Sequence, residues 1–524
     1  MKRKLFFLII TTFFSISFYA PRVYAVGDHT FRNVAMALVS SLNLALVGLT
    51  SYKAGTEEKP AGNEYYIDPT NLEYIWIQRL ADLNPQISWI RGIKKVSAGA
   101  VLAALQGYEF SGESKVYAEL LQKQLELSRE PKVSLTSKYL YTNSYARGIP
   151  WVTNARLNPL LAEREGDFSD RGHHGSLSAG VKGSPYSWVS FNFEPTLLLS
   201  SESLGTEKKI DAYVKRAYLK FNAQKLEIEL GADTVRWGQG ESGSMLLSGN
   251  TRPYYLFRVA NSHPVLLPGF LKHLGPTRTD FFLTFLDSNR TFPYSILQGI
   301  KTSFKPHKRF EFGLGQVIQF GGEGRGSWSP LNYFSDELTG SGNGKVNRGF
   351  ITELRWRIPK LELETYVEGY WEDCCDPVLI NKRDILQLAG VAIPRFAGSE
   401  KSDLSLEWAR TNAIAYAGSY PSGLYYRGQS IGHSIGTNGN GVYLTHRYFV
   451  SPKQWTKLST AYERRTDGNL VHEKRYRLQM EYHQEWFDRL NWALQAGYER
   501  VNQFNFLPGD RNNYLLGLTL GFST

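Results

Sequence analysis

The sequence predicts an all-β fold: an 18-stranded antiparallel transmembrane β-barrel of the bacterial outer-membrane type, preceded by an α-helical periplasmic segment. Three observations carry this expectation. An export leader opens the chain, period-two patterning runs through stretches of about ten to twelve residues, and the connections between those stretches alternate between short and long.

The leader comes first. Lys2, Arg3 and Lys4 precede an apolar run from Leu5 to Ala20, which Pro21 and Arg22 break, and Val23-Tyr24-Ala25 sets small residues before a cut after Ala25. This is the layout of a secretory signal peptide. The apolar run, about sixteen residues, is shorter than the roughly twenty that span a bilayer as a helix. The predicted organisation is therefore a signal peptide over 1–25, a periplasmic helical segment over 26–131 and a barrel over 132–524. Within the second part, Val34–Leu49 contains Ser40, Ser41 and Asn43 and reads as a packed element rather than a second span. Helical spacing follows at Asn71–Leu83, Val96–Gln106 and Ser111–Glu130, the last with Val116, Leu120, Leu121 and Leu125 as its apolar stripe. Such a bundle could plug the lumen, dock a periplasmic export partner, or simply act as a lid.

From Lys132 onward the period is two. In Lys360–Trp371, Leu361, Leu363, Thr365, Val367, Gly369 and Trp371 share one face, while Lys360, Glu362, Glu364, Tyr366, Glu368 and Tyr370 share the other. The same alternation runs through Tyr476, Leu478, Met480 and Tyr482, and again through Tyr514, Leu516, Leu518, Leu520 and Phe522. Successive strand side chains point to opposite faces. A soluble sandwich alternates too, but its strands average five or six residues, whereas about ten tilted residues cross a bilayer. The expected strands lie at 132–142, 173–182, 186–199, 209–221, 225–236, within 251–272, at 279–287, 294–304, 309–320, 349–358, 360–371, 385–396, 403–411, 441–449, 455–464, 474–483, 489–500 and 513–522. Pro253, Pro264 and Pro268 make the sixth the least regular. Short turns such as 183–185 and 305–308 alternate with long loops such as 143–172, 237–250, 321–348 and 412–440, placing the short turns in the periplasm and the long loops outside.

Composition agrees. Aromatics make up 14% of the chain and glycine occurs 48 times. The mean hydropathy of −0.33 does not argue for a soluble protein, because only alternate residues of a barrel strand meet lipid. The formal charge falls from +11 to +7 once Lys2, Arg3, Lys4 and Arg22 leave with the signal. There is no dense basic cluster, so nucleic acid is not an expected partner. Cys374 and Cys375 are adjacent. In an oxidising compartment they are a vicinal disulfide, free thiols or an intermolecular link.

No catalytic set emerges, and neither metal nor cofactor is expected. Gly322-Glu323-Gly324-Arg325-Gly326 lacks the helix that a phosphate-cradling loop requires and reads as a surface loop. His173-His174 has no completing ligands and reads as a solvated loop pair. Glu362, Glu364 and Glu368 read as lumen acids paired with lumen arginines. Two loop segments stand out instead. The first is Trp237-Gly238-Gln239-Gly240, leading to Leu246-Leu247-Ser248-Gly249-Asn250 and Arg252-Pro253-Tyr254-Tyr255. The second is Tyr425-Tyr426-Arg427-Gly428-Gln429-Ser430-Ile431-Gly432-His433-Ser434. Aromatic faces stack on sugar rings and arginine pairs with carboxylates. Arg252, Tyr254, Tyr255, Tyr425, Tyr426, Arg427 and His433 are therefore the polysaccharide-binding candidates, unless these loops fold inward and pack in the lumen.

These segments resemble the capsule assembly protein Wzi family. The resemblance rests on Trp237-Gly238-x-Gly240 with Leu247-Ser248-x-Asn250 and Pro253, on Tyr426 and Gly428 running into Ile431-Gly432-His433-Ser434, and on Glu407-Trp408-Ala409. Gly249 and Thr251-Arg252 depart from the pattern, as does the terminal Phe522-Ser523-Thr524. The resemblance implies an outer-membrane lectin that anchors capsular polysaccharide or exopolysaccharide and catalyses nothing. Outer-membrane lipid and a periplasmic capsule-export protein are the other expected partners. The competing expectation is a porin-like channel for sugars or small anions, which the strand number and the charged lumen face also fit.

Overall fold

The computed structural model describes residues 65–523, apart from 68, 88, 127–130, 145–146, 149–155, 167–170, 187, 202–209, 224–225, 326–345, 373–384, 414, 417–419, 468–470 and 487–488. The leader 1–25, the stretch Val34–Leu49, Cys374-Cys375 and Gly326 lie outside the described residues.

Eighteen strands close into one barrel. They are β1 (Lys132–Thr142), β2 (Gly172–Tyr186), β3 (Val189–Ser200), β4 (Ile210–Ala223), β5 (Leu226–Asp233), β6 (Tyr254–Asn261), β7 (Pro276–Phe285), β8 (Ile296–His307), β9 (Phe310–Phe320), β10 (Asn347–Ile358), β11 (Leu363–Glu372), β12 (Ile385–Ile393), β13 (Ser402–Arg410), β14 (Gly439–Ser451), β15 (Gln454–Thr466), β16 (His472–Trp486), β17 (Leu490–Asn502) and β18 (Asp510–Ser523). β18 returns to β1 antiparallel, from Ser523↔Ser134 to Leu515↔Thr142. Closure leaves no sheet edge.

Burial is inverted relative to a soluble protein. Leu478, Met480, Leu516, Leu518, Leu520 and Phe522 are exposed, while Lys301, Glu353, Glu229 and Arg475 are fully buried. Trp188, Trp356 and Trp486 are exposed near one rim, and Tyr462, Tyr476, Tyr498 and Tyr514 near the other. An apolar band between two aromatic girdles is the surface of a barrel that sits in a bilayer. Inside, charges are matched. Arg258 bonds Asp280 at 2.7 Å, Lys220 bonds Glu227 at 3.1 Å and Arg475 bonds Glu499 at 2.8 Å. Burying such a charge without its partner costs several kcal/mol.

Three local expectations need correction. The strand expected from Lys360 starts at Leu363, because Pro359–Leu361 forms a 3₁₀ turn and Glu362 takes φ +49°. Glu362 thus leaves the lumen and pairs with Arg395 at 3.1 Å. The irregular sixth strand is bounded by its prolines rather than interrupted. β6 begins after Pro253 and ends before Pro264, and a two-residue strand Val265–Leu266 and a 3₁₀ turn Gly269–Leu274 follow. His173 and His174 both belong to β2: His173 meets the Tyr139 hydroxyl outside at 2.7 Å, and His174 is buried against Ser200 at 3.0 Å.

Ahead of the barrel lie α1 (Leu72–Leu83), α2 (Ala98–Leu105) and α3 (Gly112–Glu126). Trp76, Leu80, Val101, Leu121 and Leu125 form their shared core. In α3 the buried stripe is Tyr117, Leu121 and Leu125, and Val116 is exposed, so the inward face sits one residue further round than expected. The helices cap the short-turn end of the barrel. The Trp76 indole donates to the Pro452 carbonyl at 2.8 Å, Arg79 to that of Pro394 at 2.6 Å, and Arg357 to that of Ala81 at 3.2 Å.

Candidate functional site

Between α1 and α2, residues 89–97 rise into the lumen. Backbone N–H groups of Arg91 and Gly92 donate to Glu311 at 3.0 and 2.8 Å, Lys301 donates to the Gly92 carbonyl at 2.7 Å, and Lys95 bonds Glu229 at 3.0 Å. From the opposite end the β5–β6 loop descends to meet this segment. Trp237 is fully buried, its indole donates to Asp280 at 3.0 Å, and Ile93 and Trp237 form a β-bridge. The Gly238 N–H donates to the Gly92 carbonyl at 2.9 Å.

Lumen carboxylates hold this loop. Glu368 accepts N–H groups from Gln239, Gly240 and Met245 at 2.6, 2.8 and 2.9 Å, and the Ser244 hydroxyl at 3.1 Å. Glu407 accepts from Glu241 and Ser242 at 2.6 and 2.7 Å and from the Tyr366 hydroxyl at 2.6 Å. Of the acids expected to face arginines, Glu364 does so, with Arg355 at 2.6 Å and Arg357 at 3.3 Å, whereas Glu368 binds the loop backbone. In the β1–β2 loop, burial pushes the Glu165 carboxyl up, but Arg216, Lys215 and Arg236 outweigh it and hold the group below the ordinary carboxylate range.

Gly238 has φ +116°, and a Cβ there would lie 2.3 Å from the Ser244 hydroxyl and 2.8 Å from Glu368. Gly238→Ala combines left-handed strain with that clash, at a cost of about 1–3 kcal/mol. The expected outcome is a lower unfolding temperature in heat-modified gel mobility, with the barrel still formed at room temperature.

The β13–β14 loop packs on the first. The Tyr416 hydroxyl donates to the Met245 carbonyl at 2.8 Å and accepts the His433 N–H at 3.0 Å, and Ser248 and Asn250 donate to the Gly432 carbonyl at 2.7 and 2.8 Å. His433 is therefore buried where the two loops meet. Its Nδ1 accepts the Ile435 N–H at 3.1 Å, which leaves the proton on Nε2, 3.3 Å from Ser242 Oγ.

The seven sequence candidates separate accordingly. Tyr254, Tyr425, Tyr426 and His433 are buried, with the Tyr254 and Tyr426 rings 4.9 Å apart. Tyr255 points out of the barrel, 55% exposed, toward the bilayer side. Arg252 is half-buried, paired with Asp211 at 2.8 Å over the Tyr213 ring. Arg427 is exposed at the tip of a hairpin in which Tyr425 and Tyr426 pair with Ser430 and Gln429. Arg427 and Gly428 have φ +49° and +77°, the pair of positive values that a type I′ turn requires. The Arg427 N–H donates to Asp287 at 2.7 Å, and its guanidinium lies 5.4 Å from the Tyr426 ring.

Sequence reasoning missed the neighbours of that hairpin. Arg290 braces it by donating to the carbonyls of Tyr425 and Gly423 at 2.9 and 2.7 Å. Arg325 lies 3.9 Å from the Tyr420 ring and 4.7 Å from Phe292. Tyr294 is exposed close by. Together with Arg427 these form a platform at the long-loop end, two cations on aromatic faces. Arg325 belongs to the glycine-rich stretch read as a surface loop; its aromatic partners are 33 and 95 positions distant in sequence, and no local pattern joins them. Toward the short-turn end a cavity of about 770 Å³ remains in the lumen, between α1 and the walls of β1–β4 and β14–β18, lined by residues including Lys138, Trp455, Lys457, Gln479, Glu481 and Trp492.

The family described as capsule assembly protein Wzi matches residues 144–515, an interval that contains both loops and the platform. A solved structure from Escherichia coli, described as Wzi, an outer membrane protein involved in group 1 capsule assembly and a carbohydrate-binding β-barrel, is similar at 15% identity and a TM-score of 0.67. That similarity covers 88% of this chain and 99% of that one. Two Pseudomonas aeruginosa structures, outer membrane protein opdK and OpdQ, align at 11% and 9% identity, each with a TM-score of 0.46, covering 75% of this chain and 99% and 98% of theirs. No curated protein sequence matches the chain.

Proposed function

Because the chain belongs to the capsule assembly protein Wzi family, we propose that it is a carbohydrate-binding outer-membrane β-barrel that holds capsular polysaccharide or exopolysaccharide at the cell surface during capsule assembly. The observation that carries this reading is the platform: Arg427 and Arg325 rest on the rings of Tyr426 and Tyr420 at the long-loop end. Long loops of such barrels face outward and short turns face the periplasm. A guanidinium held against a ring can pair with a uronate or pyruvyl carboxylate while the exposed ring of Tyr294 takes a sugar face. On the same reading the helical cap is periplasmic, and its outer face is where an export partner docks.

The protein binds rather than catalyses in this account. Glu364, Glu368 and Glu407 are engaged by arginines and backbone donors, which takes them out of acid–base work. The lumen filling argues against the porin-like alternative, since residues 89–97 and the β5–β6 loop meet across the bore.

The test is clean deletion of the gene, followed by measurement of polymer on cells and in the medium. Polymer that is still synthesised but sheds into the medium is the expected result. Unchanged retention together with reduced uptake of a solute would identify a channel and overturn the anchoring role.

A further inference from the structure

The outward face of β13 to β18 carries a second pattern, separate from the platform and independent of the polysaccharide reading. Trp408, Tyr462, Tyr476 and Tyr498 point outward near the long-loop rim. Two residues beyond each, toward the loops and on the same outward face, stand Arg410, Arg464, Lys474 and Arg500. The register brings them side by side. Arg410 faces Asn440, Asn440 faces Arg464, Arg464 faces Lys474, and Lys474 faces Asn502.

Arg464 opposite Lys474 is a like-charge cross-strand pair, which destabilises a sheet unless an anion lies between them. Among the described residues, Arg500 pairs with Asp510 at 3.2 Å, while no salt bridge joins Arg410, Arg464 or Lys474 to an acid. Across the barrel the last outward positions are apolar: Leu199 on β3, Ile210 on β4, Tyr255 on β6 and Phe285 on β7, while β2, which follows β18 and β1 round the closure, has His173 and the exposed Arg171 just before it. The cations are therefore confined to one side of the barrel. They stand just past the aromatic girdle, at the depth where lipid headgroups begin.

We propose that Arg410, Arg464 and Lys474 form a binding surface for a phosphate-bearing glycolipid of the outer leaflet, with the acyl chains lying along Leu406, Leu444, Leu478 and Met480 below. The chemistry is charge-assisted pairing of phosphate with guanidinium and ammonium groups, beside an apolar face that takes the chains. Asn440 Oδ1 accepts the Trp408 indole N–H at 2.8 Å and Asn502 Nδ2 donates to Asp510 at 2.6 Å, so the Asn440 NH₂ and the Asn502 side-chain carbonyl are the neutral groups offered to the sugar hydroxyls.

The test compares the full-length protein with the triple variant Arg410→Gln/Arg464→Gln/Lys474→Gln and with Lys308→Gln, an exposed lysine at the opposite end. Each is extracted from membranes in mild detergent, heat-modified gel mobility confirms the folded barrel, and native mass spectrometry with phosphorus analysis scores bound lipid. Wild type and Lys308→Gln should retain the phosphorylated glycolipid, and the triple variant should lose at least tenfold. If the triple variant does not fold, the single change Lys474→Gln should still lower occupancy several-fold. Equal retention in all proteins, or equal loss in the triple variant and Lys308→Gln, overturns the proposal. So does retention of only zwitterionic phospholipid by wild type.

Discussion

Glu368→Ala is expected to release the β5–β6 loop from the lumen and to turn a quiet barrel into a conducting one. One buried carboxylate receives the donors of Gln239, Gly240, Ser244 and Met245, all between 2.6 and 3.1 Å. Hydrogen bonds to a charged group contribute about 1.5–3 kcal/mol each. Even if water replaces half of them, the loss exceeds the few kcal/mol that separate a docked loop from an open one. Glu368→Gln is the informative control. Its carbonyl still serves Gln239 and Gly240, but its NH₂ now faces the donors of Met245 and Ser244, so an intermediate effect follows. Two measurements read the outcome: steady conductance in planar bilayers, and cleavage at Glu241 by a glutamate-specific protease. Wild type should be silent and resistant, and the alanine variant leaky and cut. An alanine variant as silent and as resistant as wild type would show that Glu368 does not hold the loop.

The barrel was legible in the sequence because its physics is local. Leu516, Leu518, Leu520 and Phe522 alternate with small or polar residues, and that alternation alone sets which side of β18 meets lipid. Errors cluster where something other than period two decides. Pro359 forces a turn on a stretch that otherwise alternates, so Glu362 leaves the lumen. The helix face of α3 is set by what it packs on, which moved the stripe from Val116 to Tyr117. The site was legible only in part. The loops at Trp237 and Tyr425 were found from composition, but composition does not say which way a loop folds. Tyr254, Tyr426 and His433 have the same residue chemistry buried as exposed, and partners that bury them come from distant parts of the chain: Tyr254 and Tyr426 for each other, and Ser242 for His433. The two cations of the platform converge from loops about a hundred residues apart.

Arg325→Gln/Arg427→Gln should strip most polymer from cells although each arginine contributes little alone. An exposed ion pair is worth only about 0.2–1 kcal/mol, and 1.4 kcal/mol is a tenfold change in affinity. A purified barrel titrated with a short acidic oligosaccharide should therefore lose roughly two- to thirtyfold in affinity, and the wild-type affinity should fall as salt is raised. Retention on cells follows a different law. A polymer repeats its acidic unit along its length and meets many barrels in one membrane, so the per-site losses multiply over every site engaged. Loss of threefold at each of several sites detaches the chain. Arg325→Lys/Arg427→Lys separates charge from shape: lysine keeps the positive charge but loses the planar fork that stacks and pairs bidentately, so partial retention is expected. If the glutamine variant retains polymer as well as wild type, the platform is not the contact. If retention falls while oligosaccharide affinity holds, the arginines organise the loops and the polymer binds elsewhere on the outer face.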